Sequence, residues 1–291
     1  MKVKIITDSC CDLPLHYVKA HSNRLEVLGM PVQIEGKEYI DDLGVTLKHD
    51  DFYAKLRNGI MPTTSQINAY RFEEAFRANL DEGSEVIYVG FSSGLSGTLN
   101  SALIARNIIL EDTPDAPIYV VDTLSASVGL GAIIVETVKM ASNGMDAQQI
   151  YNWVQSNHMN AHHWFGVDDL QYLKNGGRIN AASAMVGTVL NVKPTLIVDK
   201  YGKLKPYGNV RGRKKSMNFL VSKLEEHYHP EMTTTIILGH GNCKDDAETM
   251  RKMIQDKYDN VEIIVSELSM TIASHVGPNM LAVAFIGKER E

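Results

Sequence analysis

Glu85-Val86-Ile87-Tyr88-Val89-Gly90-Phe91-Ser92-Ser93-Gly94-Leu95-Ser96-Gly97-Thr98 carries the chain from one kind of backbone to another. Val86 to Val89 are apolar without alternation, the pattern of a strand buried on both faces. Ser92 to Gly97 are small and polar and break that run, and Thr98–Leu110 then repeats apolar residues at helical spacing. Strand, polar loop and helix in that order form the unit step of a parallel α/β sheet. Outward from it, Val3–Ile6, Leu25–Val32 and Ile118–Asp122 read as further strands. The helices between them carry start signals: Asp12 with Pro14, Thr46 ahead of Leu47–Asn58, and Asn68 ahead of Ala69–Leu80. Ala126–Ser142 and Ala147–Asn157 behind Asp146 complete the series. This predicts an N-terminal α/β domain over residues 1–159, a mostly parallel sheet with flanking helices.

Past residue 160 the pattern changes. Asn191–Val198 and Leu204–Val210 flank the short turn Asp199-Lys200-Tyr201-Gly202-Lys203 and read as an antiparallel hairpin. Thr234–His240 with Asp245–Tyr258, then Val261–Ser266 and Leu281–Ile286, add further strands and a helix. A C-terminal α+β domain with a mixed sheet is expected over residues 160–291.

Composition narrows the function classes. Over 291 residues, 44% are apolar and 22% charged, which is ordinary globular usage. A net charge of −6 argues against nucleic acid as a partner. The longest apolar run, Val128 to Val135, stops at Glu136, well short of the roughly 18 residues a membrane span needs. The N-terminal stretch from Met1 to Asp8 passes into a strand pattern without a signal-peptide core, so a cytoplasmic address and no stable membrane insertion are expected. Three cysteines, Cys10, Cys11 and Cys243, fit neither a disulfide framework nor zinc spacing.

Ligands of open α/β sheets bind beyond the carboxyl ends of the strands. Thr7-Asp8-Ser9, Pro62-Thr63-Thr64-Ser65-Gln66 and the loop after Phe91 are the polar clusters at such places. Capping uses one oxygen per helix, yet Thr63, Thr64, Ser65, Ser92, Ser93 and Ser96 offer six in two loops. Hydroxyls and a helix N-terminus without Lys or Arg suit a single carboxylate better than a polyphosphate. Gly94-Leu95-Ser96-Gly97-Thr98 also comes one residue short of the nucleophile elbow of serine hydrolases, and Asp199 and His275 follow in the right order. A hydrolase using Ser96 therefore stands as the alternative, and a module for small phosphorylated anions as a third.

Ile6-Thr7-Asp8-Ser9, Asp12-Leu13-Pro14, Thr64-Ser65-Gln66, Leu95-Ser96-Gly97-Thr98, Val121-Asp122-Thr123, Gly176-Gly177-Arg178-Ile179, Lys193-Pro194, Val210-Arg211 and His275-Val276-Gly277-Pro278 occur in that order. Through them the chain resembles the DegV family, bacterial proteins that bind a long-chain fatty acid between two α/β domains. The resemblance implies that Thr64 and Ser96 hold the carboxylate, with His275 beside them, and that no cofactor or metal takes part. It also implies a carrier that performs no chemistry itself, similar to the binding subunit of bacterial fatty acid kinase, which presents its bound acid to an ATP-dependent kinase subunit. A palmitate-like or oleate-like C14–C20 acid is the expected ligand. Burial of a 16-carbon chain is worth at most about 12 kcal/mol before ordering costs. Two departures stand out, Ile67 where the family has proline and Asn279-Met280 where it has small residues.

Other polar groups have plainer readings. From Lys200 to Lys215 there are seven basic and no acidic residues, a local positive surface whose Arg211 and Arg213 are the expected contacts for an acidic kinase partner. His240 either lines the cleft between domains or sits in a tight turn, and Arg178 either joins the head-group network or forms a structural ion pair.

Overall fold

The first helices and strands follow from their local sequence, as seen in a computed structural model that describes residues 2–180 and 191–290. The chain runs β1 (Lys2–Asp8), α1 (Leu15–Ala20), β2 (Leu25–Leu28), β3 (Pro31–Ile34), β4 (Lys37–Ile40), α2 (His49–Arg57) and β5 (Thr63–Thr64). It continues through α3 (Ala69–Asp81), β6 (Ser84–Gly90), α4 (Thr98–Asp112), β7 (Ile118–Asp122), α5 (Ser127–Ser142) and α6 (Ala147–Asn157). Then come β8 (Ala161–Gly166), α7 (Gln171–Asn175), β9 (Val192–Val198), β10 (Leu204–Arg211) and α8 (Arg213–His227). The last elements are β11 (Thr235–His240), α9 (Lys244–Gln255), β12 (Glu262–Glu267), α10 (Met270–Val276) and β13 (Leu281–Ile286).

Three sheets result. The first is parallel, in the order β2-β1-β6-β7; the second is mixed, in the order β10-β9-β8-β13-β11-β12; a small third sheet is β4-β3-β5. Between the two large ones lies α5, which is apolar nearly all round and buried from Val128 to Val135. A helix apolar on every side is a core helix. It joins the sheets, and one buried cluster runs from Val3 through α5 to Ile286. A second cluster fills the space between the mixed sheet and α8 and α9. Among the described residues no helix is long and apolar enough to cross a membrane.

Several capping expectations hold. Asn68 accepts the Arg71 N–H, and Asp146 with Gln149 closes a reciprocal capping box at α6. Others are corrected. Leu25–Val32 is two strands: at Gly29 the chain leaves the parallel sheet so closely against Asp41 that an added Cβ would lie 2.5 Å from its carbonyl oxygen. Thr46 caps nothing, because the Asp42 carboxylate takes the Val45 and Thr46 N–H groups in a turn, and α2 starts only at His49. Asp12 does not open α1 either. Its backbone is left-handed (φ 47°) and its carboxylate reaches across the molecule, accepting from Ser127 Oγ at 2.5 Å and from the Ser269 N–H at 2.8 Å.

Candidate functional site

An apolar slot opens between α5, α10 and the strands β8 and β13, with about 730 Å3 of empty space when the solvent at its mouth is included. Phe91, Val128, Phe165, Leu173, Val276 and Ala282 are among its walls, and Thr64, Ser96, Arg178 and His275 supply polar groups. Each of these four is placed by its local backbone. On β5, residue alternation leaves Thr63 exposed and turns Thr64 inward, where it pairs with Val32. Gln66 donates to Ser101 Oγ at 3.0 Å and packs so tightly on Gly97 that a Cβ there would sit 2.1 Å from Gln66 Oε1. That clamp fixes the Thr64 loop to the Ser96 loop. Ile67 anchors the same loop by complete burial, where the family's proline would stiffen it.

Ser96 Oγ accepts the Thr98 N–H at 3.2 Å and shares a 2.9 Å bond with Thr98 Oγ1, which holds it on the slot side of the α4 entry. His275, in the last turn of α10, bonds Thr64 Oγ1 through Nε2 at 2.8 Å. Its Nδ1 is buried without a partner because it faces Gly176, where an added Cβ would lie 2.1 Å away. Burial, with the Arg178 charge acting in the same direction, pushes the His275 pKa down to about 4. The ring is therefore neutral near pH 7.

Two readings of Arg178 stood open, the head-group network and a structural ion pair. The residue forms no ion pair among the described residues; it donates to the Leu95 carbonyl at 3.3 Å and to the Gly176 carbonyl at 2.6 Å, and lines the slot. The site thus has a cation, which inspection of the two hydroxyl loops alone did not supply. Of the six hydroxyls in those loops, Thr64 and Ser96 line the slot. Ser92 is committed to the Gly202 carbonyl at 2.8 Å and ties the β9–β10 turn to the α4 loop. His240 is buried at the end of β11, away from the slot walls. Arg211 is exposed on β10, whereas Arg213 is occupied internally, with Asp246 at 2.9 Å and the Asn279 carbonyl at 2.7 Å. Asn279 takes a left-handed backbone and delivers the neighbouring Met280 to the slot wall.

The geometry gives the hydrolase alternative no support. Ser96 Oγ engages Thr98 and not His275, whose Nδ1 meets a glycine and not a carboxylate. Asp199 spends its carboxylate on the Tyr201 and Lys203 N–H groups of the β9–β10 turn. Among the described residues no group of three His, Cys, Asp or Glu side chains could hold a metal ion. Cys10, on the slot wall, has its thiol pKa raised well above the usual range by burial and stays protonated.

Gly176→Ala provides a check on this packing. The backbone there is ordinary right-handed (φ −72°), so the new methyl acts only by displacing the His275 ring. The expected outcome is loss of the Thr64 bond and a destabilisation of about 1–3 kcal/mol, measured by urea unfolding. An unchanged midpoint would show that the ring has room to move.

Fold and site together define an α/β protein with two large sheets, an apolar slot open at its mouth, and a polar end built from hydroxyls, a neutral imidazole and a guanidinium. The family model described as "Uncharacterised protein, DegV family" matches residues 2–288, and the chain belongs to the DegV family. A DegV domain-containing protein of Clostridium perfringens is 42% identical over 290 residues, covering 100% of this chain and 99% of that one. A Thermotoga maritima structure reported to reveal fatty acid binding function superposes with a TM-score of 0.84 at 28% identity, covering 99% of both chains. A DegV protein of Thermus thermophilus, reported for its fatty acid binding, gives 0.86 at 28% identity and covers 99% of this chain and 100% of its own.

Proposed function

We propose that this protein binds a long-chain fatty acid, C14–C20 in length, with its acyl chain in the slot and its carboxylate between Thr64 and Ser96. The observation that carries this reading is the division of one slot into long apolar walls and a short polar end. Apolar burial supplies affinity, and hydroxyl donors with a nearby Arg178 orient one negative charge. Fatty acid binding by the two solved relatives supports it. Residues 1–159 carry the carboxylate-binding loops of Thr64 and Ser96, and residues 160–291 close over the acyl chain and bring His275 and Arg178 to the same polar end. The working compartment is the cytoplasm.

The head group stands near an exit. Leu95, Arg178 and Leu204 border both the slot and an open groove edged by Lys203 and Lys205. A carrier of this shape presents its carboxylate to a separate ATP-dependent kinase, which forms the acyl phosphate, and the exposed Arg211 belongs to the surface that receives it. Incubation of loaded protein with ATP is expected to give acyl phosphate only when a kinase subunit is added. Acyl phosphate or ATP hydrolysis from the protein alone would contradict the division of labour.

A bound carboxylate also changes His275. Its negative charge favours the imidazolium, so the pKa is expected to rise from about 4 in the ligand-free protein on addition of hexadecanoate. Proton NMR titration of the His275 ring reads this directly. A ring that titrates identically with and without ligand would place the carboxylate elsewhere.

A further inference from the structure

Helix α10 gives the slot Thr271, Ile272, His275 and Val276, and the small sheet β4-β3-β5 ties it down at two points. In its last turn His275 Nε2 meets Thr64 Oγ1 on the edge strand β5. In its first turn Thr271 meets Asp41, the residue that follows β4 on the opposite edge. Asp41 Oδ2 accepts both donors of Thr271, the N–H at 2.8 Å and the hydroxyl at 2.5 Å. Thr271 and His275 are four residues apart, so they share one face of the helix and lie about 6 Å apart along its axis. A shift at the first is carried by the helix to the second.

Asp41 is a costly residue to bury. It is 1% exposed, its Oδ1 has no hydrogen-bond partner, and His49 favours its ionised form by charge alone. Burial of this kind destabilises a fold by itself. What it provides is a fixed anchor. The Asp41 N–H donates to the Met30 carbonyl at 2.8 Å, and the chain at Gly29 packs against the Asp41 carbonyl. With its backbone held from two sides, the carboxyl sets the first turn of α10 at a defined place over the sheet that carries Thr64. Asp12 adds a second hold, on the Ser269 N–H just ahead of the helix. Either protonation state of Asp41 leaves Oδ2 able to accept.

We propose that Asp41 is a positioning residue for the head-group site: by gripping Thr271 it fixes α10 on the small sheet and so brings the His275 ring onto Thr64. Its effect on affinity rests on the carboxylate reading, whereas its effect on His275 is independent of any ligand.

Asp41→Ala, Asp41→Asn and Thr271→Val in the delipidated full chain test it with two readouts. In the ligand-free protein, proton NMR is expected to show the His275 ring of Asp41→Ala titrating above the wild-type value of about 4, because the released ring gains water. Calorimetry with hexadecanoic acid and hexadecan-1-ol, which differ only in the head group, reads the consequence for binding. The ratio of the two affinities should fall about tenfold in Asp41→Ala, while the affinity for the alcohol stays within about threefold. Asp41→Asn keeps an oxygen for both Thr271 donors and should restore both readouts. Thr271→Val removes one of the two bonds and should move both readouts the same way by less, so the test stands if Asp41→Ala does not fold. A His275 titration and an affinity ratio unchanged in Asp41→Ala and Thr271→Val, even with a lowered unfolding midpoint, would make Asp41 merely structural and overturn the inference, leaving the carboxylate reading intact. An Asp41→Asn no better than Asp41→Ala would overturn it as well. A wild type that binds acid and alcohol equally would refute the carboxylate reading, and the His275 titration then decides the role of Asp41 by itself.

Discussion

Replacing Thr64 by Val and Ser96 by Ala together is expected to leave a folded protein that no longer retains a fatty acid. Both hydroxyls line the polar end of the slot, on loops held together by the Gln66 clamp. A hydrogen bond to a charged group is worth about 1.5–3 kcal/mol, so losing two weakens binding by roughly 100-fold to 10,000-fold. The two face one carboxylate, so their effects couple and the double variant is the informative one. The fold survives at a cost: Val keeps the shape of Thr64 but strands the His275 Nε2, and the buried Thr98 N–H loses one acceptor, each worth about 1–3 kcal/mol. Isothermal titration with hexadecanoate measures the loss. An affinity within about threefold of wild type would show that these hydroxyls do not hold the head group.

The second large effect concerns stability. Asp12→Leu is expected to cost about 3–5 kcal/mol, because it strands the buried Ser269 N–H, removes the acceptor of Ser127 and puts a bulky side chain at φ 47°. Asp12→Asn keeps an oxygen for Ser269, tolerates the left-handed backbone and removes the charge. Its effect should depend on pH with a definite sign. Burial raises the Asp12 pKa from 3.8 to about 7 in the folded protein. Between those values the native state keeps a proton that the unfolded chain has released, so this residue's contribution to stability falls as pH rises from about 4 to about 7. Asp12→Asn should therefore gain on wild type between pH 5 and pH 8 in urea unfolding. Parallel curves would mean that the carboxyl titrates normally. His275, lowered to about 4, acts oppositely, its contribution being lost as pH falls from 6.5 to about 4.

The parallel half of the fold was legible because Val86 to Val89 are continuously apolar and Asn68 and Asp146 mark helix starts that no neighbour contests. The hairpin of β9 and β10 was legible from its turn. Strand β8 was not. Ala161-His162-His163-Trp164-Phe165-Gly166 looks half polar, yet all six are buried, with the His162 ring stacked between Phe285 and His227. Hydropathy misses imidazoles that behave as flat rings. The small sheet was also missed, although Glu35-Gly36, both with positive φ, form the two-residue turn between β3 and β4.

In the site, the motifs named Thr64, Ser96 and His275, and the slot brings all three to one end. Arg178 was left between the head-group network and a structural ion pair, since a lone Arg after two glycines carries no sign of what it will face. Its place depends on α7 and on the Leu95 carbonyl, 83 residues away in sequence.

The central claim is that the slot holds a fatty acid by its carboxylate, and a crystal structure of the protein with hexadecanoic acid tests it most directly. The account predicts one acyl chain inside the slot, with its carboxylate within hydrogen-bond distance of Thr64 Oγ1 and Ser96 Oγ. An acid bound outside the slot, or seated with its carboxylate remote from both hydroxyls, would contradict it.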